Sequence, residues 1–165
     1  MADYLTMISK KTARLLAIGA GMGGMIGGGS ERQVALLADY AENLGVAFQI
    51  QDDLLDITVE QKILGKDFGS DVKRHKRTYL VIHALEHGTA SHQRHLRQVL
   101  ATPNLTTEDA LKVREIFEET GTLSSAISAV RDYITRSRTA VDELAASAEV
   151  SGLRMLLDVV LNRNA

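Results

Sequence analysis

A single proline, Pro103, interrupts 165 residues. β-Branched residues almost never alternate with polar ones. Apolar residues recur instead at helical spacing, so the chain reads as all-α, a helical bundle forming one domain over residues 1–165. A first helix is expected from about Asp3 to Met22, ended or sharply bent by the glycine-rich run Gly23–Gly29. Ser30 and Gln33 have capping-box spacing and open a second, long helix that continues to Ile57. The mixed-charge stretch Thr58–His75 reads as a loop of functional length. Further helices are expected over about Lys76–Gly88, Ser91–Ala101, Thr106 or Thr107 to Gly121, Thr122–Ala146 and Ser151–Asn162, with a turn at Pro103-Asn104.

The long second helix carries the most specific chemistry. In Phe48-Gln49-Ile50-Gln51-Asp52-Asp53-Leu54-Leu55-Asp56, the polar residues Gln49, Asp52, Asp53 and Asp56 are spaced i, i+3, i+4, i+7. At about 100° per residue they fall within an arc of roughly 100° on one face. Three carboxylates so close repel one another unless a cation lies between them. Mg²⁺ takes oxygen ligands, accepts one or two carboxylates, and completes its shell with water and phosphate oxygens. The stripe therefore reads as a Mg²⁺–phosphate platform, against the blander reading of a solvated acidic turn. The apolar neighbours Val46, Ala47, Phe48, Ile50, Leu54, Leu55 and Ile57 weigh against a fully solvated face.

Lysines accompany the acids. Lys10-Lys11-Thr12 lies on the first helix, and Gly65-Lys66-Asp67-Phe68-Gly69-Ser70-Asp71 lies just beyond the aspartates, followed by Lys73, Arg74, Lys76 and Arg77. Ammonium groups and a metal together neutralise a diphosphate, and glycines let backbone approach phosphate closely. Taken singly, each lysine is more simply a surface charge. Without cysteine, disulfides, zinc thiolates and thiol nucleophiles are excluded. A net charge of −2 gives no bulk attraction to nucleic acid or an acidic membrane. The apolar segment Leu15–Gly29 is too short and glycine-rich to span a membrane, and it lacks a clear signal-cleavage site. A cytoplasmic location is the expectation. His83 and His87 share a helix face without a third metal ligand, while His75, His92 and His95 sit among charges and read as solvated. Ala38, Ala41 and Gly45 continue the aspartate face with small residues, read as close helix packing or as an apolar slot.

The set Lys11-Thr12, Phe48-Gln49-x-x-Asp52-Asp53-x-x-Asp56, Gly65-Lys66-x-x-Gly69-Ser70-Asp71 and Lys76-x-Thr78 resembles, in order and spacing, the trans-type isoprenyl diphosphate synthases, the polyprenyl synthetases. The resemblance covers essentially the whole chain but only the C-terminal half of that family's usual domain. It implies Mg²⁺ ligation by Asp52, Asp53 and Asp56, and diphosphate binding by Lys11, Lys66 and Lys76. Thr12 and Gln49 would present oxygens to an allylic carbocation, with Lys11, Thr12, Gln49 and Lys66 as the catalytic set. The implied reaction condenses an allylic diphosphate with isopentenyl diphosphate. The family's first aspartate-rich motif and its isopentenyl-diphosphate arginines are absent, Asp67 replaces a common proline, and Tyr79-Leu80-Val81 replaces the usual leucine-proline. These departures imply a chain inactive by itself, working as a homo-oligomer or with an N-terminal half. The alternatives are a non-catalytic partner of a full-length synthase, or half of a related terpene cyclase.

Overall fold

The computed structural model describes residues 1–58, 68–145 and 148–162. Among them every regular element is helical. The chain begins with α1 (Ala2–Ile8), a π-helical turn (Ser9–Ala13) and α2 (Arg14–Ile26), which run on without a break. The sequence pattern leads to an ordinary helix here; the π turn is the difference. Its cause is visible in the buried face, formed by Tyr4, Ile8, Ala13, Ala17 and Gly21. The one five-residue step, Ile8 to Ala13, coincides with the π turn, whose i→i+5 hydrogen bonds accommodate one more residue. The helix also persists past Met22 to Ile26, because packing of Gly21 and Gly24 against Val34 and Leu37 outweighs the poor helix propensity of glycine.

Ser30 and Gln33 form the expected reciprocal cap, and α3 (Glu31–Thr58) follows. Then come a single turn α4 (Ser70–Lys73), α5 (Tyr79–His87), α6 (Ala90–Ala101), α7 (Thr107–Glu119), α8 (Thr122–Asp142) and α9 (Ala148–Leu161). α5 starts three residues later than its apolar pattern suggests. His75 takes a positive φ of 56°, and Thr78, in extended backbone, accepts the N–H of Val81 and caps the helix there. α7 begins on a complete capping box between Thr106 and Asp109. Asn104 turns with φ 56°, next to Pro103 as expected. α9 opens earlier than Ser151, its apolar residues Val150, Leu157 and Val160 being buried.

The chain divides into two compact units, and α3 and α8 each contribute residues to both. One unit comprises residues 2–51 and 129–163. Its interior includes Ile8, Ala47, Ile50, Val130, Val141 and Leu157. Tyr40 ties it together: its hydroxyl donates to the Leu153 carbonyl at 2.9 Å, and its own carbonyl accepts from Ser137 at 2.6 Å. Burial raises the Tyr40 phenol to about 12, so it stays neutral and keeps donating. The α2 face bearing Leu15, Ile18, Met22, Met25 and Ile26 is exposed.

The second unit comprises Met1 and the described part of residues 52–128. In it α5, α6 and α7 pack on one another around Leu80, Val81, Leu96, Val113 and Phe117, and α4 rests on α7. No helix among the described residues is long and apolar enough to cross a membrane.

Candidate functional site

The narrow open strip of α3 decides which motif residues meet solvent. Around the C-terminal half of this helix Ile50, Gln51, Leu54, Leu55 and Ile57 are buried, leaving Gln49, Asp52 and Asp56 half-buried along one side. Asp53 shares the same arc but falls on its inner edge and is only 6% exposed.

In the unit of residues 52–128, Asp56 organises the next turn. Its Oδ1 accepts from the Ser70 hydroxyl, and its Oδ2 accepts from the Asp71 backbone N–H at 2.8 Å. Gly69 makes this possible. With φ 65° it reverses the chain, and its N–H donates to the Asp56 carbonyl at 2.8 Å. Burial pushes the Asp56 carboxyl above its ordinary value, against the two hydrogen bonds from Ser70 and Asp71, which lower it. Asp71 in turn accepts from the Lys76 ammonium. Asp56, Asp71 and Lys76 thus form a connected chain, with exposed Arg74 and Arg77 flanking the lysine. Asp53 does something different: its Oδ2 accepts the N–H of Tyr79, the first residue of α5, at 3.1 Å. Lys73 points elsewhere, donating to the Thr107 hydroxyl at 3.1 Å.

In the other unit, the π turn carries Lys10, Lys11 and Thr12. Thr12 donates its hydroxyl proton to Gln49 Oε1 at 3.3 Å, and Ser9 donates its own to Glu42 Oε1 at 2.9 Å. This close seating requires Gly45, since a Cβ there would lie 2.7 Å from Ala13 Cα. Having given its proton to Gln49, Thr12 Oγ1 keeps only acceptor lone pairs for a ligand. Lys10 and Lys11 are exposed and line an open groove of about 470 Å³ with Asp3, Thr6 and Met7.

Lys66, Gly65 and Asp67 lie outside the described residues. Among the described residues no group of three or more His, Asp or Glu side chains converges as a metal cage. Two half-exposed carboxylates one helical turn apart, Asp52 and Asp56, make a donor set that fits a hard cation completed by phosphate oxygens rather than a closed protein site. The rings of His83 and His87 stack at 4.0 Å, and their Nδ1 atoms engage the Thr122 hydroxyl and the His83 carbonyl. His75 is exposed, but His92 and His95 are half-buried rather than solvated, and His92 pairs with Glu119 at 3.0 Å. Sequence reasoning missed the anchoring of Asp56 by Ser70 and Asp71, the separate engagement of Asp53, and the π turn. The five-residue step in the buried face was the only sign of the last.

Comparison with known proteins places this geometry in context. The polyprenyl synthetase family model matches residues 1–120. Over 98% of this chain and 49% of its own length, a short chain isoprenyl diphosphate synthase of Methanothermobacter thermautotrophicus is 35% identical. A geranylgeranyl diphosphate synthase of Sulfolobus acidocaldarius is 30% identical over 98% of this chain and 49% of its own. The crystal structure of a polyprenyl synthase from Caulobacter crescentus, complexed with calcium and isoprenyl diphosphate, superposes with a TM-score of 0.91 at 28% identity. That match covers 100% of this chain and 50% of the other. The chain spans about half the length of the curated relatives it matches.

Proposed function

This chain belongs to the polyprenyl synthetase family, and on that premise we propose that it supplies the second aspartate-rich, diphosphate-binding part of a Mg²⁺-dependent prenyltransferase. The observation that carries the proposal is the half-open strip of α3, where Asp52 and Asp56 reach solvent and Asp56 is linked through Asp71 to Lys76. The substrates proposed are an allylic diphosphate and isopentenyl diphosphate.

In this reading Asp52 and Asp56 hold Mg²⁺, which when bound neutralises the diphosphate and helps it to leave. Lys11, Lys66 and Lys76 bind the remaining phosphate charge; an ammonium's interaction strengthens as negative charge builds on the departing group, which is where rate enhancement originates. Thr12 Oγ1 and Gln49 turn oxygen lone pairs toward the electron-poor allylic carbon. The chain works with a segment bearing the first aspartate-rich motif, in the same polypeptide or another, or as a homo-oligomer. The exposed apolar face of α2 supports such an assembly. A cytoplasmic location goes with this reading.

The test is prenyl transfer in trans. This chain alone should give no product from an allylic diphosphate and isopentenyl diphosphate, because loss of positioning removes many powers of ten in rate. Adding the first half of the Methanothermobacter synthase should produce turnover, and Asp52→Ala in this chain should abolish it. Turnover by the chain alone, or turnover indifferent to Asp52→Ala, refutes the proposal.

A further inference from the structure

We propose that Asp53 is a positioning residue rather than a metal ligand: its buried carboxylate fastens the start of α5 to α3 and so fixes the basic turn that carries Lys76. The inference rests on the diphosphate-binding role given to Lys76 above.

Sequence spacing makes Asp52, Asp53 and Asp56 equivalent, but their surroundings separate them. Asp52 and Asp56 are half-buried, while Asp53 is only 6% exposed. Mg²⁺ dehydrates reluctantly and keeps several waters. A carboxylate with almost no access to solvent is poorly placed to share such a shell.

The bond that Asp53 makes has a clear purpose. Tyr79 is the first residue of α5, so its N–H is among those no helical carbonyl can satisfy. Thr78 serves the N–H of Val81, and Asp53 serves that of Tyr79. A negative carboxylate at this helix start also interacts favourably with the helix dipole.

The consequence is a turn pinned at both ends to one helix. Asp56 holds Ser70 and Asp71 on one side, and Asp53 holds Tyr79 on the other. Asp53 and Asp56 are three residues apart on α3, so both anchors move together. Lys76 lies between them, with its ammonium on Asp71. Removing Asp53 frees one end of this turn and leaves a buried N–H without its acceptor, while asparagine would retain an acceptor oxygen of nearly the same shape.

The experiment combines two readouts on the full chain. Mg²⁺ is titrated calorimetrically at saturating inorganic pyrophosphate, and the exchange rate of the Tyr79 amide is measured by NMR. Asp52→Asn should weaken Mg²⁺ by roughly 10-fold or more, the scale of losses at metal-site groups. Asp53→Asn should stay close to the parent in both readouts. Asp53→Ala should speed Tyr79 exchange by roughly 5- to 10-fold, as for loss of a helix cap, and should weaken pyrophosphate binding. Adding Lys76→Ala to Asp53→Ala should then cost less than Lys76→Ala costs in the parent, because the two act through one turn. Asp53→Asn weakening Mg²⁺ as much as Asp52→Asn overturns the proposal, as does Tyr79 exchange unchanged in Asp53→Ala. A parent chain that binds no pyrophosphate refutes the functional reading, and Tyr79 exchange still decides whether Asp53 is the anchor.

Discussion

Gly69→Ala tests the turn that brings Ser70 and Asp71 onto Asp56. Gly69 has φ 65°, a left-handed conformation that disfavours a side chain by about 1–2 kcal/mol. A Cβ at Gly69 would also lie 2.5 Å from the Cβ of Ala110 and 3.5 Å from Ile57 Cδ1. Carbon atoms pack best at about 3.5–4.0 Å, so the first contact is about 1 Å too close. Overpacking of this kind adds about 1–3 kcal/mol, for a total loss of about 2–5 kcal/mol. Gly121 supplies the internal control. It has the same φ of 65°, but a Cβ there would meet nothing within 4 Å. Gly121→Ala should therefore lose only the backbone part, about 1–2 kcal/mol. Urea denaturation followed by circular dichroism gives both values, and the Gly69 variant should have the lower midpoint by roughly 1 M. Equal losses would show that α4 and α7 do not meet at Ala110 as described. No loss in either would refute the left-handed backbone itself.

Other perturbations probe the remaining parts. Thr106→Ala removes the capping box of α7 and should cost about 1 kcal/mol, read as a thermal midpoint lower by several degrees. His83 is held below its ordinary value by burial and then by His87, so below about pH 6.5 the unfolded chain takes up this proton first. Stability from this group is therefore intact above that pH and is lost as pH falls toward the lower folded value; His83→Asn should flatten that part of the midpoint–pH curve. Lys66→Ala should weaken pyrophosphate binding more than Lys73→Ala, since Lys73 is already engaged by Thr107; comparable losses would mean that generic charge does the binding.

Features decided within a few residues were readable from sequence. The Ser30–Gln33 cap needed only spacing, and of the two threonines offered for the start of α7 it is Thr106 that caps, with Asp109 closing the box. Helical periodicity likewise gave the all-α class. What escaped depends on groups far apart in the chain. The start of α5 is set at Thr78, after a turn in which Lys76 bonds Asp71, which is itself held by Asp56. Glycines 21 and 24 stay helical through packing on α3 that no propensity contains. Spacing put Asp52 and Asp53 on one arc, and only their folded surroundings separate a half-buried carboxylate from a buried one. The role expected of Lys66 falls outside the described residues.

The central claim is that α3 presents an incomplete Mg²⁺ site that a diphosphate completes. Calorimetric titration of this chain with Mg²⁺, in the absence and then the presence of saturating inorganic pyrophosphate, tests it most directly. Two accessible helix carboxylates leave most of an octahedral shell to water, so the account predicts weak binding alone and binding at least about 10-fold tighter with pyrophosphate. Equal Mg²⁺ affinity under the two conditions would contradict it.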